Sequence, residues 1–158
     1  MAEAKPQSDS QYQQESLIGP ILLVPLAECG RGSGHLRRCI QIQKDLGSKA
    51  KIYIPASLWK QRNSVNSILR SCGEEITEDS IITSVRAEDK WQIILFDKKE
   101  TNLAEFFWFS QHGVCIGIDE GGEARRYMHF LLDSLPKDPD LGEANIASTS
   151  FLDIPIQE

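Results

Sequence analysis

Hydrophobic residues fall in short blocks along this chain, separated by glycine-rich and charged breaks. Ile21–Ala27 (ILLVPLA) is a nearly continuous apolar run, the pattern of a strand buried on both faces. Pro25 is awkward inside it, because proline removes a ladder donor; it fits a bulge or the point where the strand ends. Past the turn at Glu28–Ser33, Leu36, Cys39, Ile40, Ile42 and Leu46 recur at helical spacing. Gly47 then stands at a C′ position, where a left-handed residue stops a helix. Lys51–Pro55 (KIYIP) predicts a second strand. Ser57 is placed to cap a helix with the apolar face Leu58, Val65, Ile68, Leu69 and Cys72, stopped by Gly73.

Ile81–Val85 and Trp91–Phe96 predict two further strands, the second and stronger ending at Asp97. Asn102 with Glu105 has the spacing of a capping pair that opens a helix through Leu103, Phe106 and Phe107. Val114–Ile118 is another apolar strand, ending at Asp119-Glu120-Gly121-Gly122; residues 123–128 make a helical turn, and His129–Leu135 a short strand. The tail after Pro136 is rich in proline and aspartate and reads mostly as loop. Strands alternating with helices imply right-handed crossovers and an α/β fold: an open parallel sheet flanked by helices on both faces. Residues 1–16, rich in Gln and Ser and poor in aliphatics, cannot bury enough apolar surface to offset their ordering entropy and predict a disordered tail. The remainder, 17–158, predicts one domain, with no internal repeat visible.

Composition narrows the function classes. With 41% hydrophobic and 25% charged residues, the 158-residue chain is ordinary globular material. Its net charge of −6 argues against sequence-independent binding to nucleic acid, which needs a basic face. No apolar run approaches the ~20 residues of a membrane span, and no basic n-region precedes an apolar stretch as in a signal peptide. Cys29, Cys39, Cys72 and Cys115 form no CxxC pair and no zinc spacing, and read as reduced thiols of a cytoplasmic protein, two or more of them core filler. His112 and His129 have no partners at metal spacing and read as structural; neither a metal nor a cofactor is expected.

The chemistry-bearing segment is Cys29-Gly30-Arg31-Gly32-Ser33-Gly34-His35-Leu36-Arg37-Arg38-Cys39. Alternate glycines join a buried strand to a helix, allowing positive φ and close approach of a ligand to the backbone. The helix start adds free N–H groups and partial positive charge, an anion site beyond the carboxyl ends of the strands. It is no nucleotide P-loop, since no Lys-Ser or Lys-Thr follows the glycines. The spacing GxGxG, with a second strand ending in Ile54-Pro55 rather than at an acidic residue, also argues against a dinucleotide site. His35 falls on the first helical turn, where the dipole favours neutral imidazole, the form a general base needs. Arg37 and Arg38 read either as an anion clamp or as a solvated face, and Asp97 and Asp119 either share the cleft rim with His35 or cap the turns that follow them. Trp91, Phe106, Phe107, Trp108 and Phe109 fit a core better than a sugar-stacking platform, while Trp59 and Trp108 are candidates for a face that meets a partner.

The segment Gly32-Ser33-Gly34-His35-Leu36-Arg37-Arg38-Cys39 resembles the GxGHxxRC signature of a nucleotide-sugar family: the UDP-sugar hydrolases of the pseudaminic acid pathway and their polysaccharide-biosynthesis relatives. That family is in turn similar to MurG-type glycosyltransferases, whose GT-B architecture has two Rossmann-like halves. Val114–Glu120 (VCIGIDE), followed by Gly121-Gly122-Glu123-Ala124-Arg125, looks like the family's strand ending in an acidic pair. The resemblance covers about residues 21–150 and implies the N-terminal half of a GT-B fold. It implies His35 as the catalytic base that activates water, Gly32, Ser33 and Gly34 as the loop lining the substrate cleft, and Asp119 as the first acidic residue of the downstream pair; with Arg37 from the anion-clamp reading, Gly32, Ser33, Gly34, Arg37 and Asp119 are the expected substrate contacts. Glu120 stands where the family more usually has Asp. The chain stops at Glu158, where the first half would end, and has no second Gly-rich loop. It is therefore expected to be a domain of a longer chain or a free-standing half that needs a partner, with weak nucleotide affinity and little turnover by itself. The alternatives are a non-catalytic sugar-nucleotide or protein-binding module, including a homodimer formed through an apolar face, and a small phosphate-binding regulator.

Overall fold

A computed structural model describes residues 19–27, 33–60 and 77–148. The 1–16 tail, the glycine-rich turn up to Gly32, most of the helix expected after Ser57, and the last ten residues lie outside the described residues. Among the described residues, ten strands and α-helices follow in order: β1 (Ile21–Pro25), α1 (Ser33–Leu46), β2 (Ala50–Tyr53), α2 (Ala56–Trp59), β3 (Ile81–Ile82), β4 (Ile93–Asp97), α3 (Leu103–Ser110), β5 (Val114–Ile118), β6 (Phe130–Asp133) and β7 (Ile146–Ala147). The strands form one seven-stranded sheet in the order β3-β2-β1-β4-β5-β6-β7, and every neighbouring pair is parallel. This is a Rossmann-like α/β sheet, with the chain leaving β1 toward one edge and resuming at β4 toward the other.

Side-chain alternation divides the apolar residues between two cores. Ile21 and Leu23 of β1 pack with Leu36, Cys39 and Ile40 of α1 and with Ile52 and Leu95 on one face. Leu22 and Val24 pack with Phe106 and Phe109 of α3 and with Ile94, Phe96 and Cys115 on the other. The α1 and α3 crossovers run in opposite directions from the centre of the sheet, so one handedness places them on opposite faces.

Pro25 is the last residue of β1, opposite Asp97. Leu26 N–H donates to Asp97 O at 2.9 Å, so ladder alternation turns the position-25 donor toward β2, where pairing already ends at Leu23. The proline thus costs the sheet no hydrogen bond. Gly47 ends α1 with φ +60°, as a C′ glycine should.

Several elements differ from their sequence-based expectations. α2 is capped at Pro55, leaving Ser57 inside the first turn. β3 spans only Ile81–Ile82 of the expected run. The tail read as loop contains a 3₁₀ turn at Pro139–Leu141 and adds β7 at the sheet edge. Of the helix aromatics, Phe106 and Phe109 are buried, but Phe107 and Trp108 are about half exposed. Cys39 and Cys115 are buried free thiols, while Cys29 and Cys72 lie outside the described residues. Among the described residues no helix is long and apolar enough to cross a membrane.

Candidate functional site

The carboxyl ends of β1, β4, β5 and β6 converge on one polar cluster. α1 begins just beyond β1, and His35 and Arg38 lie three residues apart on it, hence on one face. Asp97 ends β4, Asp119 follows β5 and Ser134 follows β6, so parallel register sets three polar side chains along one sheet edge.

Asp97 is the centre. Its carboxylate is fully buried and accepts from Arg38 Nε at 2.6 Å and Arg38 Nη2 at 2.6 Å, a forked ion pair. The same Oδ1 lies 2.6 Å from His35 Nδ1. A carboxylate gripped by a guanidinium only accepts, so Nδ1 carries the ring proton and a neutral His35 keeps its lone pair on Nε2. The His35 side chain is 24% exposed, against none for Asp97.

Arg38 reaches further, with Nη2 at 3.2 Å from Asp119 Oδ2 and Nη1 at 3.3 Å from Ser134 Oγ. Burial works against its charge, but the hydrogen bond and charge of Asp97, then those of Asp119, outweigh burial and raise the guanidinium above its ordinary value. Asp119 accepts from Ser134 N at 2.7 Å and Leu135 N at 3.2 Å, and from the Ser134 hydroxyl. Burial alone would push its carboxyl up; these hydrogen bonds and Arg38 together hold it below the usual value. Asp119 is also the one non-glycine described residue with positive φ, +52°, a strained backbone held at the point where the strand delivers its side chain. Burial, and then Asp97, push the Cys39 thiol well up, so it stays protonated beside the pair.

The residues expected from sequence are placed unevenly. His35 and Asp119 are brought into the cluster, and Asp97, expected at the cleft rim or as a turn cap, is its buried centre. Gly34 is exposed with open space around it. Ser33 opens α1; Gly32 lies outside the described residues. Arg37, half-buried, is two positions from His35 and so off the shared face. Arg38, one reading of which is an anion clamp, spends its fork on the chain's own carboxylates. Sequence reasoning missed Ser134 and the Arg38–Asp97 pair; the one available signal was the three-residue spacing of His35 and Arg38.

Ser134 also lines a cleft of about 620 Å³ with Leu135, Pro136, Lys137, Gly142 and Ser148, beside the cluster at the ends of β6 and β7. Lys137 Nζ donates to Asp119 O at 2.6 Å and ties that loop to β5. His112 and His129 serve the fold: His112 Nδ1 donates to Asp89 O at 2.9 Å, and His129 Nδ1 accepts from Cys115 N at 3.0 Å. Among the described residues no three His, Cys, Asp or Glu side chains gather as a metal-ligand set.

Comparison of the chain with protein-family models, with curated proteins and with solved structures finds no match. An imidazole at the switch point of an open α/β sheet, backed by a buried carboxylate, is equipped to take a proton at Nε2 and to be stabilised once charged.

Proposed function

We propose that this chain is the base-bearing Rossmann-like half of a nucleotide-sugar hydrolase or glycosyltransferase-like protein in glycan biosynthesis, with His35 as general base. The observation that carries the reading is the 2.6 Å contact between His35 Nδ1 and the buried Asp97, at the carboxyl edge where the strand order reverses. Nε2 then takes a proton from water or from an acceptor hydroxyl as the glycosyl bond breaks. The first N–H groups of α1, beginning at Ser33 and Gly34, supply donors for substrate oxygens, and Arg37 is a further substrate contact. The resemblance of the 32–39 segment to the GxGHxxRC signature supports the substrate class.

The test is turnover of UDP- and CMP-linked sugars by the natural protein that carries this chain. His35→Ala should lower kcat by about 10²–10⁴, the range for a general base, while substrate affinity stays within about tenfold. Unchanged turnover would overturn the assignment.

A second reading rests on the aromatic surface of α3. The rings of Phe107 and Tyr127 lie 5.5 Å apart, both about half exposed, with Arg126 5.8 Å above Tyr127. In that reading the chain is a binding or assembly module, and its association survives the loss of His35.

A further inference from the structure

We propose that Arg38 is a positioning residue for His35, acting through Asp97 to decide which ring nitrogen carries the proton. Asp97 has no exposure to water, and its described cationic neighbour within ion-pair distance, besides His35 itself, is Arg38. A buried carboxylate without a counter-charge takes up a proton. A protonated Asp97 could donate to His35 Nδ1, and the lone pair would then sit on Nδ1, against Asp97, with the proton on Nε2. The imidazole would face the cleft as a donor, unable to accept a proton there. With the guanidinium fork in place, Asp97 stays an acceptor at both oxygens and Nε2 stays bare.

Arg38 is itself held. Asp119 and Ser134 engage its remaining edge, and Asp119 is fixed in turn by two backbone N–H groups beyond β6. The guanidinium therefore bridges the ends of β4, β5 and β6, and cannot swing toward solvent without breaking contacts at all three. The proposed role rests on His35 being the group that accepts a proton; the bonding of Arg38 does not.

The experiment reads the ring directly. The full chain is labelled with ¹⁵N at histidine, and the His35 ring nitrogens are assigned by their disappearance in His35→Gln. At a pH where His35 is neutral, the wild type should show a protonated Nδ1 and a bare Nε2, their resonances widely separated. Arg38→Met should lose or reverse that preference, and Arg38→Lys, which keeps the charge without the fork, should retain part of it. Arg125→Lys, altering an ion pair elsewhere, should leave the His35 resonances in place. A wild-type ring protonated on Nε2 overturns the proposal, and so does a wild-type pattern that persists in Arg38→Met. If Arg38→Met loses its native amide dispersion, Arg38→Gln carries the same two outcomes, and the wild-type pattern still decides. Turnover plays no part in this measurement, so the failure of the nucleotide-sugar reading and the failure of the positioning role are seen separately.

Discussion

Two arginine–carboxylate pairs sit near the carboxyl edge of the same sheet, and they are built differently. Arg125 forks onto Asp133 at 3.0 and 2.8 Å, and its other donors go to the carbonyls of Glu120, Leu141 and Gly142. All its N–H groups are used and its side chain is 3% exposed. Beside it, Glu120 is fully buried, with its carboxylate spent on Thr101 N, Thr101 Oγ1 and Gly122 N. That region is closed: it staples the 98–102 and 120–122 loops and the 141–142 turn to the sheet. Arg38 forks onto Asp97 side-on, through Nε and Nη2, but is 16% exposed, and its carboxylate also holds an imidazole that reaches solvent. A closed pair is explained by the fold it secures. An open pair that orients a histidine, beside a cleft, is the arrangement the proposed role of His35 as a base would draw on.

Breaking the closed pair should have the largest effect on stability. Arg125→Met leaves Asp133 buried without its counter-charge and three carbonyls without donors. Removing one partner of a buried pair costs about 3–5 kcal/mol. A urea titration should show a correspondingly lower midpoint; a loss below about 1 kcal/mol, the worth of an exposed pair, would dissolve the contrast.

Asp119 belongs to the open cluster but also bonds the backbone beyond β6, so an intermediate effect is expected. Its folded value is depressed, so the stability it adds is fully present above the ordinary aspartate value of 3.8 and is lost as pH falls through the folded value. Asp119→Asn should cost about 1–3 kcal/mol at neutral pH, for hydrogen-bonding groups left with a poorer partner. It should also flatten the decline of stability in acid, followed by urea midpoints from pH 6 downward. A variant with the wild-type acid profile would show that Asp119 does not couple to folding.

The contrast was half legible in the sequence. The strands and the cores follow from apolar runs such as ILLV and VCIGI, and Asn102 does cap α3, accepting from Glu105 N at 2.8 Å. The reciprocal half of that capping box is missing because Glu105 pairs instead with Lys98, a tertiary contact that local spacing does not encode. His35 announced itself through its place after a glycine turn. Its partner did not: Arg38 and Asp97 are 59 residues apart, and a strand-terminal aspartate reads equally as a cap or as a ligand until register places it. The four-aromatic run of α3 gave no clue to which rings face the sheet, since it is apolar all round; packing against Tyr53 and Phe96 selects Phe109 and leaves Phe107 outside.

The smallest expected stability effect is the most discriminating. His35→Ala removes a partly exposed ring that hydrogen-bonds to Asp97. Asp97 keeps both bonds to Arg38, so no buried charge is left alone. The loss is that one hydrogen bond, worth about 0.5–1.5 kcal/mol net, and His35→Ala should cost no more than this by urea titration. Paired with the turnover loss expected of the same variant, a cost no larger than one hydrogen bond would separate the two clusters by purpose. A cost as large as that of Arg125→Met would instead make the imidazole part of the scaffold, and the open pair would join the closed one as a device for holding strand ends together.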